Sequence, residues 1–195
     1  MVLEGAVGIS LNFNLPHWRI KTAKLLVYLL VAPLLVVIQG VAGPIQSAQA
    51  EIYSFQEHTF SSCNATGASG PSESACRSAY STSWDESSAN FYVVDGIQYW
   101  KVPKTGTYQI IANGAYGGGS YSEPYRAGYG ASMQGDFVLQ EGDILKILVG
   151  QLGAGGNGTG GGGGTFVTTN SNTPLVVAGG GGGGSGGGGY AGEPT

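Results

Sequence analysis

From residue 51 onward the chain alternates apolar and polar positions in short runs, each closed by a turn signal. In EIYSFQEHTF the apolar positions Ile52, Phe55 and Phe60 are expected to anchor a first strand, and NATGASGPSES after it reads as a loop by composition. NFYVV and GIQYWKV are rich in aromatic and β-branched residues and meet at Asp95-Gly96, a hairpin-turn dipeptide. A turn over Pro103 to Gly106 leads into TYQIIANGAY, and MQGDFVLQ and ILKILVGQ predict a second hairpin about Glu141-Gly142-Asp143. TFVTT and TPLVVA lie between glycine runs, and no segment carries a convincing helical pattern. Short strands at this spacing predict an all-β protein, an antiparallel sandwich or jelly roll, and the length after residue 50 suffices to enclose one core of that kind.

The first fifty residues follow a different pattern. Arg19, Lys21 and Lys24 precede the apolar run LLVYLLVAPLLVVI (Leu25 to Ile38), and SAQA with its small residues Ala48 and Ala50 follows. That order predicts a secretory signal over residues 1–50, cleaved after Ala50. The competing expectation is an uncleaved membrane anchor, but the run contains Pro33 and falls short of the roughly 20 apolar residues a spanning helix needs. The stretch before the run is long for a signal.

Secretion changes how the remaining composition reads. Residues 51–195 carry five basic side chains (Arg77, Lys101, Lys104, Arg126, Lys146) against eleven acidic ones. Such a surface disfavours nucleic acid and anionic lipid, which are held by clustered Lys and Arg, and suits a basic protein partner. Contact with a membrane is expected only through the N-terminal segment or a span outside this sequence. In an oxidising compartment the only two cysteines, Cys63 and Cys76, read as a disulfide closing a Gly/Ser/Ala-rich loop; two buried free thiols are the alternative. Asn64 and Asn157 each begin a glycosylation sequon.

Candidate chemistry is sparse. GAGGNG, residues 153–158, matches the glycine pattern of a dinucleotide-binding turn, yet that turn works by opening a helix, and TGGGGG cannot sustain one. A phosphate-binding loop needs a lysine after its last glycine, and no Lys, Arg or His follows Lys146. His58 is flanked by strand residues and reads as a surface or half-buried side chain, not as a catalytic base. Asp85-Glu86 supplies two carboxylates, as a calcium site would, but adjacent carboxylates in a loop are ordinarily solvated. Zinc would need more Cys or His ligands. The expectation is no catalytic site, no metal and no cofactor.

Thirty-seven glycines remain to be explained. A flexible linker is one reading. However, the runs are interrupted by the apolar segments at 165–169 and 173–178, and they are nearly pure glycine. The other reading is ordered: polyproline-II-type glycine helices, with three residues per turn and no internal hydrogen bonds, packed closely enough to bond one another laterally. Composition leaves both open.

The motifs HTFSSCNATGASGPSESACRSAY, GIQYWKVPKTGTYQI, FVLQEGDILKILVGQ, GGGGGTFV and PLVVAGGGGGG occur in this order. Together they resemble the glycine-rich extracellular region of the anaplastic lymphoma kinase and leukocyte tyrosine kinase receptors, from about His58 to Gly189. The resemblance implies a tumour-necrosis-factor-like sandwich over 51–159, completed by strands at 165–169 and 173–178, with a polyglycine-II-like helical extension over 160–195. It also places Cys63 and Cys76 where the family has a cysteine pair. The family's longer charged, cysteine-containing segment is replaced here by LGAGGNGT, so its cytokine recognition does not carry over. The expected function is an extracellular ligand-binding module, secreted or on the cell surface. It is read either as an N-terminal piece of such a receptor, whose kinase domain lies elsewhere, or as a secreted relative. The alternative is a secreted structural or adhesive glycine-rich matrix protein. The expected working surface is YGGGSYSEPYRAGYG, with Tyr116, Tyr121, Glu123, Tyr125 and Tyr129: tyrosines give contact area with few rotamers to freeze, and Gly and Ser let the loop adapt.

Overall fold

The computed structural model describes residues 5–12, 52–119, 127–156 and 159–184. Among these described residues, nine strands and one short helix are laid out as β1 (Ala6–Asn12), β2 (Glu57–Phe60), α1 (Glu73–Ala79), β3 (Phe91–Val94), β4 (Ile97–Lys101), β5 (Gly106–Asn113), β6 (Ser132–Leu139), β7 (Ile144–Leu148), β8 (Thr165–Thr169) and β9 (Pro174–Ala178). They form two antiparallel sheets, ordered β2-β1-β5-β6 and β3-β4-β7-β8-β9, an arrangement consistent with an all-β sandwich.

Alternation along each strand decides which side chains meet. Tyr108, Ile110 and Ala112 of β5 point into the core, as do Trp100 of β4, Leu145 and Ile147 of β7, Val167 of β8 and Val176 of β9. Phe55 lies 4.9 Å from the Trp100 ring, and Trp100 meets Tyr108 edge-on at 5.9 Å, which joins the two sheets through aromatic contact. The β3–β4 connection is the expected tight turn. Asp95 and Gly96 have φ of 49° and 76°, the left-handed pair that matches the twist of a hairpin.

Four features depart from the sequence reading. Residues Ala6–Asn12, which it assigns to a segment outside the sandwich, form β1 at the centre of the four-stranded sheet. Val7 faces Phe60 on one side and Ala112 on the other, and Val7 and Ile9 are buried. The alternation Val7, Ile9, Leu11 is a strand pattern that the basic and apolar segments after it overshadow. Second, α1 begins at the end of the NATGASGPSES loop, in a chain where no helix is expected. Ser72 caps it by accepting a hydrogen bond from the Ala75 N–H, and Arg77 pairs with Glu73 one turn back. Seven residues are too few to show an amphipathic period. Third, Ile52 is exposed rather than an anchor, whereas Phe55 and Phe60 are core. Last, TYQIIANGAY ends as a strand at Asn113, where the glycines begin.

Candidate binding surface

The stems of the tyrosine-rich loop leave β5 at Gly114 and enter β6 from Ala131, and they are tied together at intervals of three residues. The Gly114 N–H donates to the Ala131 carbonyl (2.9 Å), and the Gly117 N–H to that of Gly128 (3.1 Å). The same spacing joins these stems to the glycine runs. Ala115 and Gly118 donate to Gly163 and Gly160, Gly128 and Ala131 to Gly182 and Gly179, and Gly181 and Gly184 to Ala115 and Gly118. A further segment joins through Gly153 to Tyr116 and Gly156 to Gly119. The backbone groups that extended glycine would otherwise leave unpaired are thus satisfied sideways. Only glycine fits where two backbones approach this closely. A Cβ on Gly181 would sit 1.9 Å from the Gly128 carbonyl oxygen.

On this scaffold Tyr116 and Tyr129 meet ring edge to ring face, 4.8 Å apart at 65°, and Tyr129 is 51% exposed. Two of the five expected binding residues are therefore brought together at the loop base. Tyr121, Glu123 and Tyr125 lie outside the described residues, as does Asn157. Asn64 is exposed. Beside the glycine segments, a groove of about 420 Å³ is bounded by the 67–70 loop, the Asp95-Gly96 turn, Leu148, Leu152 and Phe166. The buried Oε1 of Gln151, also in its lining, has no hydrogen-bond partner. No local sequence pattern marks this groove, because it gathers four separate chain segments.

The cysteines form a disulfide, with Cα atoms 4.9 Å apart, that ties the chain after β2 to α1. Beside it the Tyr80 hydroxyl donates to the Gln98 amide oxygen and accepts from the Ser61 N–H, while the Gln98 amide nitrogen donates to the Ser61 carbonyl. Burial pushes the Tyr80 hydroxyl up to about 12, so it stays protonated and works as a structural donor. Asp85, expected in solvent, is instead buried and accepts from the Thr82 hydroxyl. No group of three or more metal-ligating side chains occurs among the described residues.

His58 stands in an aromatic cage, its ring 4.7 Å from Phe60, 4.6 Å from Tyr80 and 4.9 Å from Trp84, in each case nearly perpendicular. Its Nε2 is buried without a partner. Burial lowers its pKa from 6.5 to about 4, although the Asp85 carboxylate opposes the shift. The unfolded chain therefore binds a proton that the folded chain refuses between pH 6.5 and about 4, and stability falls as pH falls through that window. After allowance for partial solvent contact the loss is about 2 kcal/mol. His58→Gln should flatten urea midpoints over this range. Glu73, held below its ordinary value chiefly by hydrogen bonds from Arg77, acts in the same direction as pH falls through its ordinary value of 4.5, so the upper part of the His58 window reports His58 alone.

No protein-family model matches the chain. It is similar to the leukocyte tyrosine kinase receptor of Mus musculus, 37% identical over 99 residues, covering 48% of this chain and 11% of the receptor. The matched part is thus about a tenth of that receptor's length. Among the described residues no helix is long and apolar enough to cross a membrane.

Proposed function

We propose that this chain is an extracellular ligand-binding module of the kind found in the ectodomains of receptor tyrosine kinases, secreted or displayed at the cell surface, without catalysis of its own. The observation that carries the reading is the partial likeness to the leukocyte tyrosine kinase receptor. The disulfide agrees with an oxidising compartment. In this reading the sandwich is tumour-necrosis-factor-like, and the glycine segments are polyproline-II-type helices. The three-residue spacing of their lateral hydrogen bonds supports that assignment, since three residues make one turn of such a helix.

The module's working part is the tyrosine-rich loop. Tyr116 and Tyr129 at its base and Tyr121 and Tyr125 along it supply contact area, and Glu123 favours a basic protein partner. A rigid base lowers the ordering cost of binding. Asn64, exposed, is proposed as a glycosylation acceptor, and Asn157 as a second. The test is recovery of basic extracellular proteins on the immobilised chain. Tyr121→Ala with Tyr125→Ala should leave thermal unfolding unchanged and weaken capture at least about tenfold, which corresponds to 1.4 kcal/mol. Equal capture by parent and variant would exclude the loop. Self-association of both chains in place of partner capture would favour a cohesive matrix protein.

A further inference from the structure

The position of β1 has a topological consequence. Ser10 lies opposite Glu57, so the chain leaves the sheet after Asn12 and returns to it before Glu57 at the same end. Antiparallel neighbours are usually joined by a few residues; here the whole of 13–56 intervenes. If the apolar run Leu25–Ile38 crossed a bilayer once, as signal or as anchor, it would leave residues 6–12 and 57–60 on opposite faces of the membrane. A chain that has passed through the membrane in that way cannot supply its own β1.

The place β1 leaves is specific. Between β2 and β5 it offers two unpaired ladders at the centre of a sheet, over the core side chains Phe60, Tyr108 and Ile110. Such a gap does not persist in water, because both edges and the apolar floor would be exposed at once. We propose that, in the secreted form, this slot is a strand-acceptor site that takes an extended polypeptide segment from a partner. The inference rests on the secretory reading above for its occurrence, but the slot itself is defined by the structure.

The slot also states what it accepts. Inward positions take the places of Val7 and Ile9, both buried, and of Leu11, which packs against the same core. The outward position of Gly8 is open, with nothing within 4 Å of an added Cβ, so any residue fits there. Gly5 is different. Its N–H donates to the Gly150 carbonyl (3.1 Å), and a Cβ would lie 2.6 Å from that oxygen and 2.7 Å from the Thr165 hydroxyl oxygen. The ligand class is therefore a strand with glycine two residues before the first of three alternate apolar positions.

The experiment uses the full chain carrying Val7→Asp and Ile9→Asp, which disables β1 and leaves the acceptor strands unaltered. The probe is a biotinylated peptide of residues 5–13, GAVGISLNF. The variant should capture one peptide per chain and regain slow amide exchange in β5, slower by about a hundredfold than without peptide. The same peptide with Gly5→Val should bind at least about tenfold more weakly. The unaltered chain, its slot filled in cis, should capture little. Failure to capture the unmodified peptide would overturn the proposal, and so would β5 protection in the variant alone equal to that of the parent. N-terminal sequencing of secreted chain tests the secretory reading separately: Glu51 as first residue agrees with it, Met1 does not, and neither result alters the peptide measurement.

Discussion

Gly181→Ala should destabilise the protein by about 3 kcal/mol, whereas Gly182→Ala, one residue along, should be neutral or stabilising by about 0.4–1 kcal/mol. The contrast follows from where each added methyl would go. At Gly181 it meets the Gly128 carbonyl oxygen at 1.9 Å and the carbonyl carbon at 2.4 Å, both backbone atoms that no rotamer change can move aside. Gly128 itself donates to Gly182 and accepts from Gly117, so displacing it loosens the stems of the tyrosine-rich loop. At Gly182 nothing lies within 4 Å, and alanine only narrows the unfolded ensemble. Thermal unfolding and amide exchange of the two variants check this directly. A flexible linker would give two equal and negligible effects. The Gly181 variant should also lose partner capture, because the base that holds Tyr116 and Tyr129 together would no longer be fixed.

That contrast also marks what the sequence could not display. Strands β2 to β9 were legible because each carries its own signal, in alternation and in turn residues such as Asp95-Gly96. β1 carries the same alternation at Val7, Ile9 and Leu11, but the basic residues and the apolar run that follow it set the reading of the whole N-terminal segment as a signal. Helix α1 depends on Ser72, on Arg77 pairing with Glu73, and on a disulfide, not on a hydrophobic stripe. Within the glycine runs, residues identical in sequence occupy unlike places: Gly181 is wedged between backbones, and Gly182 is open. Only the arrangement of neighbouring segments separates them. The candidate surface was legible in part for the same reason. Tyr116 and Tyr129 stood out by composition, but their ring contact depends on stems closed by Gly117 and Gly128.

The disulfide should be the second large contributor. Replacing both Cys63 and Cys76 with alanine should cost about 3 kcal/mol, chiefly by releasing the unfolded chain from a loop of separation 13. Alanine is the informative replacement, because both cysteines are buried and serine would add unpaired hydroxyls to the core. The loss should not be uniform. At seven residues α1 is far below the length at which a helix holds itself in water, so it depends on the covalent tie, the Ser72 cap and its packing. The same bond fixes the approach of Ser61 to Tyr80 and Gln98, whose three-way, partly buried network lies beside it. Amide exchange in α1 and at Ser61 should therefore quicken before that of β5 or β7, which reach the core through other contacts. Urea unfolding should show a lower midpoint and a slope at least as steep as the parent's, since an uncrosslinked unfolded chain exposes more surface. A midpoint unchanged within error would mean that the aromatic cluster of Phe60, Tyr80, Trp84 and Phe91 holds α1 unaided.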